Sequence, residues 1–379
     1  MFTFMTMNDP RWDKLAEIFC RSTKIKRGDK VLIEAIDLDA LPLLYAIYRR
    51  AIELEAISVD YIVSLTDLER HLLQYGTVEQ LNFSTKWELV RMKEIDVYMV
   101  IRARMNGLVF TDISPEALKA HRLAGKEVID ERVNHTRWCL TRVPTDFDAS
   151  SAGMSTQEYL EYYFNAVFQD YELMEKRNNA LKALMEKTDY VRIKAPGTNL
   201  GFSIKGIPAV SCHGDLNIPD GEVFTAPVWN SMNGVIHYNV DAIYDGHIYS
   251  KVFFTIKDGK ITKAGCDQGE DAINALLDID EGGRYFGEFA IGTNRGIPRP
   301  ARNTLFDEKI FASLHLTPGQ CYSNANNGNN SAIHLDLVRI LSSEYGGGTI
   351  WFDDVPVIIN GEFVHPDLQI LFALNMTKL

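Results

Sequence analysis

The sequence predicts an α/β protein in two parts, an N-terminal parallel α/β sheet domain and a C-terminal mixed α+β domain, and three observations carry that prediction. Up to about residue 101, short apolar runs alternate with amphipathic stretches, the pattern of a parallel sheet covered on both faces. From Tyr190 onward strands and turns dominate, and Asp258-Gly259 and Asn360-Gly361 each read as hairpin turns. The length, 379 residues, exceeds what one core usually accommodates, so two domains are expected.

In chain order, the first helix spans 10–24, where Trp12, Leu15, Ile18 and Phe19 recur at helical spacing and Pro10 suits a first turn. Lys26-Arg27-Gly28-Asp29 turns the chain into Val31–Ala35, a buried strand. A helix over 38–55, a strand over 58–63, a helix over 79–93 and a strand over 97–101 continue the alternation. Ser114-Pro115-Glu116 opens a helix that runs to 137, with serine as cap and proline in the first turn.

Periodicity fails through Arg142-Val143-Pro144-Thr145-Asp146, which places the domain boundary there: 1–146 and 147–379. One long helix over 155–187 follows, and its Tyr159, Tyr162, Tyr163, Phe164, Val167 and Phe168 read as core or as a subunit contact. Strands at 190–193, 200–204 and 235–240, the hairpin at 251–264 and a helix near 270–279 complete the second domain, whose sheet is expected to be mixed and largely antiparallel. Asn326-Asn327-Gly328-Asn329-Asn330 reads as a polar loop.

Composition excludes several functions. A net charge of −12 and a pI near 5.3 oppose non-specific nucleic-acid binding, which needs cations to displace phosphate counterions. The turn after the first strand, Ala35-Ile36-Asp37-Leu38-Asp39-Ala40, holds no glycine, and with neither GxGxxG nor a P-loop a nucleotide has no backbone nest there. Five widely spaced cysteines without a CxxC pair fit buried free thiols in a reducing cytosol. Met1–Met5 is too short for a signal-peptide core, and no uncharged apolar run approaches a membrane span, so a cytoplasmic protein without membrane partners is expected. Neither HExxH nor GxSxG occurs.

The candidate chemistry lies between Glu222 and Asp336. Glu222 follows the turn Ile218-Pro219-Asp220-Gly221, and Glu288 is set among apolar and glycine neighbours in Phe286–Gly292, where a buried charge needs a cation or hydrogen bonds. His315 sits in the apolar Ile310–Leu316 stretch, and Tyr322 comes seven residues later, after Pro318-Gly319. His334 and Asp336 are two apart, so in an extended segment they share one face. Each residue taken singly has an ordinary structural explanation. Together, imidazoles and carboxylates form a set suited to zinc, cobalt, manganese or iron, enough for two ions bridged by a carboxylate.

Separated motifs in order, Asn217–Pro227, Gly287–Asn294, Asp307-Glu308-Lys309-Ile310, His315 with Tyr322, and Ser331–Asp336, resemble the M29 metallo-aminopeptidases, the aminopeptidase T or thermophilic aminopeptidase family. The resemblance is most specific over 190–340 and implies a dinuclear site on Glu222, Glu288, His315, Tyr322, His334 and Asp336 in a catalytic second domain. It also implies two divalent ions, zinc or cobalt, a homodimer, and removal of N-terminal residues from peptides by metal-activated water. Glu222 or Glu288 is expected to bridge the ions or relay the proton, and Tyr322 to steady the oxyanion. The wider relatives implied include ring-opening dioxygenases that use one ferrous ion, for which His315, His334 and Asp336 would form the triad. The sequence departs from the family in a short Ser323–Asn330 stretch and in Leu314–Gly319, which implies an altered pocket.

Overall fold

The structure, a computed structural model, describes residues 9–103, 106, 108–244 and 247–373. The apolar Met1–Met5 stretch lies outside them. The chain divides into two compact units, the first reaching Phe168 and taking in Gly214–Pro219, the second holding Gln169–His213 and the chain from Asp220 on. The division thus falls after Phe168 and not at the expected 146/147. The reason is packing within the first unit, where Phe164 lies 5.2 Å from Trp12, ring to ring, and the Tyr163 and Thr141 hydroxyls are 3.1 Å apart.

The first unit is a five-stranded, wholly parallel sheet in the order Ser58–Ser64, Lys30–Ile36, Val97–Arg102, Arg137–Arg142, Asn217–Ile218. The Lys30–Ile36 and Val97–Arg102 strands are buried along most of their length, as a parallel sheet with covered faces requires. Two elements of this unit, the helix Thr66–Tyr75 and the strand Arg137–Arg142, fall where the sequence pattern predicts none.

The expected 155–187 helix is two helices, Thr156–Val167 and Tyr171–Met185. Apolar spacing continues across the break, but Asp170 caps the second helix by accepting from Leu173 N at 2.9 Å, which fixes a new start. Tyr159, Tyr163, Phe164 and Val167 are buried inside the chain, so the aromatic stripe is core.

The described residues of the second unit form three antiparallel sheets. One has eight strands, one is the pair Ala242–Tyr244 and His247–Tyr249, and one has five, in the order Leu337–Arg339, Leu314–Pro318, Phe286–Gly292, Glu222–Thr225, Val210–Cys212. The Phe253–Lys257 and Lys260–Gly265 strands of the eight-stranded sheet are joined at Asp258-Gly259, whose φ values of 49° and 81° are those of the turn the pair predicts. Val223, Phe289, Ile291, Leu314, Leu316 and Leu337 of the five-stranded sheet share one apolar core with Ile193, Phe202, Ile236 and Phe254 of the eight-stranded one. Period-two alternation then sends the neighbours of those residues to the opposite face. Cys20, Cys139 and Cys321 are buried, while Cys212 and Cys266 are only half-buried. No helix among the described residues is long and apolar enough to cross a membrane.

Candidate metal centre

Register assembles the site. Glu222 pairs with Gly292, Phe224 and His315 both pair with Ala290, and Thr317 pairs with Glu288 in the same register, which shifts only beyond Glu288 toward Phe286. Cross-strand partners lie on the same face of a sheet, so Glu222, Glu288, His315 and Thr317 converge on the face opposite the core. On that face Ala290 packs with Phe224 and Ala325, and Gly292 lets the Lys309-Ile310 backbone approach closely. A Cβ on Gly292 would come within 2.2 Å of Ile310 O. Gly292→Ala is therefore expected to cost about 1–3 kcal/mol by overpacking and to weaken metal binding by displacing the neighbouring chain, as measured by urea denaturation and metal titration.

Two groups of donor atoms form, Glu222 with Glu288 and His315, and Glu288 with His334 and Asp336. Glu288 belongs to both. His315 Nε2 is 2.9 Å from Glu288 Oε1 and 3.5 Å from Glu222 Oε2, and His334 Nε2 is 3.4 Å from Glu288 Oε2 and 3.3 Å from Asp336 Oδ1. The supporting atoms fix orientation: His334 Nδ1 lies 2.8 Å from Gln320 O, to which its N–H can donate, leaving Nε2 toward the carboxylates. Thr317 Oγ1 donates to Asp336 Oδ1 at 2.7 Å.

Tyr322 joins from the side. It is 49% exposed, and its ring centroid lies 5.0 Å from that of His334 and 5.3 Å from that of Phe224.

Electrostatics follow from burial and mutual pairing. Burial pushes the Glu222 carboxyl up to about 8, with Lys309 working against it. For Glu288 burial acts upward too, but the hydrogen bond of His315 and the charges of His315 and His334 outweigh it and hold the group below its ordinary range. Burial opposes charge on the imidazoles, yet the facing carboxylates raise His315 to about 9 and His334 well above the ordinary range. A divalent cation held by these atoms would take the place of the imidazole protons, so its binding should release protons and weaken in acid.

The residues fit such a cation. Glu222 Oε2 and Glu288 Oε2 are buried without a hydrogen-bond partner, a costly arrangement for carboxylate oxygens and one that a cation relieves. Carboxylate and imidazole are the hard-to-borderline donors that zinc, cobalt, manganese and iron accept. A third group, Cys212 with Asp220 and Glu222, has matching spacing and shares Glu222 with the first.

Sequence reasoning gave no role in this centre to several residues that support it. Lys309, fully buried, pairs with Glu222 and Glu308. Asn178 donates from Nδ2 to Cys212 O at 2.7 Å and Glu222 O at 3.2 Å, which joins the two strand ends. The asparagine stretch is a polar loop with Asn326, Gly328 and Asn330 exposed, but two of its amides turn inward: Asn327 Nδ2 donates to Pro227 O and Phe286 O, and Asn329 Nδ2 to Gly282 O and Gly319 O. It acts as a strut between the strand bearing Glu288 and the segment leading to His334.

A family model described as thermophilic metalloprotease (M29) matches residues 8–363. Aminopeptidase 2 of Geobacillus stearothermophilus is 25% identical over 389 residues, covering 86% of this chain and 92% of that protein. Aminopeptidase T of Thermus thermophilus is 27% identical over 379 residues, covering 86% and 91%. The solved structure of wild-type AmpT from Thermus thermophilus superposes with a TM-score of 0.81 at 21% identity, over 94% of this chain and 99% of that one. That of 2,5-dihydroxypyridine dioxygenase from Pseudomonas putida KT2440 gives 0.60 at 12%, over 94% and 98%. At these identities the two structural likenesses show the shared fold alone.

Proposed function

Because the chain belongs to the thermophilic metalloprotease family M29, we propose that it is an aminopeptidase that removes N-terminal residues from peptides at a two-ion centre. The observation that carries the reading is the double membership of Glu288, one carboxylate shared by two donor groups. The aminopeptidase names of the similar proteins support the substrate class.

In this reading Glu222, Glu288 and His315 would hold one ion and Glu288, His334 and Asp336 the other, Glu288 being common to both groups. Divalent ions there would supply Lewis-acid polarisation of the scissile carbonyl and a water acidified to near neutral pH. The protein's own contributions are orientation and proton handling. Gln320 O and Thr317 Oγ1 hold His334 and Asp336 in place. Glu222 and Glu288, the buried carboxylates that line the centre, are the groups placed to relay the proton. Tyr322, half exposed beside His334, is placed to donate its phenolic O–H to the developing oxyanion and is also a candidate ligand.

The mononuclear ring-cleaving alternative needs His315, His334 and Asp336 as one cluster. His315 instead groups with Glu222, while His334 and Asp336 group with each other through Glu288, which favours two ions. Zinc or cobalt as the ions, a homodimer and a cytoplasmic location belong to the same reading and rest on the family resemblance.

Chelation followed by restoration tests it. Protein stripped of metal is expected to lose release of N-terminal residues from a panel of short peptides and amino-acyl amides, and to regain it with zinc, cobalt or manganese. Turnover unaffected by complete metal removal would contradict the reading.

A further inference from the structure

Among the described residues Lys309 is the only lysine in the protein's buried set, at 0% exposure. A lysine is carried inside a protein where partners offset the lost hydration. Here they are Glu308, in direct ion-pair contact, and Glu222, whose Oε1 lies 3.7 Å from Nζ.

The backbone fixes this pairing from both sides. Asn294 N–H donates to Lys309 O at 3.0 Å and Ala312 N–H to Gly292 O at 2.8 Å, which ties the lysine's segment to the end of the strand bearing Glu288. The same asparagine donates from Nδ2 to Asp220 O at 2.7 Å, two residues before Glu222. One residue therefore sets the spacing between ammonium and carboxylate.

The two oxygens of Glu222 are consequently unlike. Oε1 faces Lys309, whereas Oε2 is buried without a hydrogen-bond partner, 3.5 Å from His315 Nε2. We infer that Lys309 is a positioning residue: by holding Oε1 it directs Oε2 alone toward the ion that Glu222 shares with Glu288 and His315. The inference rests on the two-ion reading above. Without the ammonium, Glu222 and Glu308 are buried carboxylates lacking their cation, and nothing holds Glu222 in this orientation. The second donor group, Glu288 with His334 and Asp336, does not depend on Lys309.

The test is calorimetric titration of metal-stripped, full-length protein with Zn²⁺, with thermal midpoints recorded in chelator. The parent is expected to bind two ions. Lys309→Met should lose about 10–100-fold in affinity for one ion, the effect of removing a partner of a metal ligand, and keep the other. Lys309→Arg, which keeps the charge, should recover most of the loss. Lys309→Gln carries the same expectation as methionine should the methionine variant not fold. A purely structural lysine would lower the chelator midpoint and weaken both ions together. That result, or two ions bound with the parent's affinities, overturns the inference alone. A parent that takes up no zinc overturns the two-ion reading and this inference with it.

Discussion

Glu288→Gln is expected to abolish the shared ligand of both donor groups and to lower kcat/KM on peptides by about a thousandfold, about 4 kcal/mol of transition-state stabilisation. Glutamine keeps the shape of the side chain and an Oε1 acceptor for His315 Nε2, 2.9 Å away, so the fold should persist. What it removes is the charge that lets one group serve two ions. Losing a ligand of one group only, as in Asp336→Asn, should remove one ion and leave the other. Metal content and steady-state kinetics, with circular dichroism as the check on folding, distinguish the two outcomes. Parent-like metal content in Glu288→Gln would contradict the shared role.

Phe289→Ala, one residue along the same strand, should do the opposite: destabilise the fold by about 3–5 kcal/mol while the folded fraction retains its metal. Phe289 is fully buried and meets Phe202 edge to face at 5.0 Å between ring centroids, across the core shared by the eight- and five-stranded sheets. Removing the ring leaves a cavity that the surrounding strands, held by their ladders, fill only in part. Chemical denaturation measures the loss. The contrast between these neighbours tests the architecture itself, because alternation along one strand assigns position 289 to stability and position 288 to chemistry.

That alternation is also why much of the site is legible without the fold. Glu288 betrays itself by its surroundings, a charge in an otherwise apolar strand, and the His334/Asp336 spacing is a two-residue signature. The hairpins at Asp258-Gly259 and Asn360-Gly361 are equally legible, since both positions of each turn take positive φ and such residues announce it. Lys309 is legible only as part of the Asp307-Glu308-Lys309-Ile310 motif, and its burial is not, because nothing in that charged run marks one member as interior. Its burial comes from Asn294, fifteen positions earlier in sequence and adjacent only after folding. The strand Arg137–Arg142 is hidden by its terminal arginines, although Cys139 and Thr141 within it are wholly buried in the parallel sheet. The asparagine stretch is legible as a loop but not as a support, for a related reason: amide side chains that suit a solvated loop are equally able to bond buried backbone carbonyls, and composition does not distinguish the two uses.

The central claim is that this sheet face binds two divalent ions and uses them on the N-terminal residue of a peptide. Quantifying metal per chain in the active protein, alongside product release from peptides and oxygen uptake on a dihydroxylated ring, tests it most directly. The account predicts two equivalents of a divalent metal, release of N-terminal amino acids and no oxygen consumption. One equivalent of iron, oxygen uptake on the ring and no amino-acid release would contradict it.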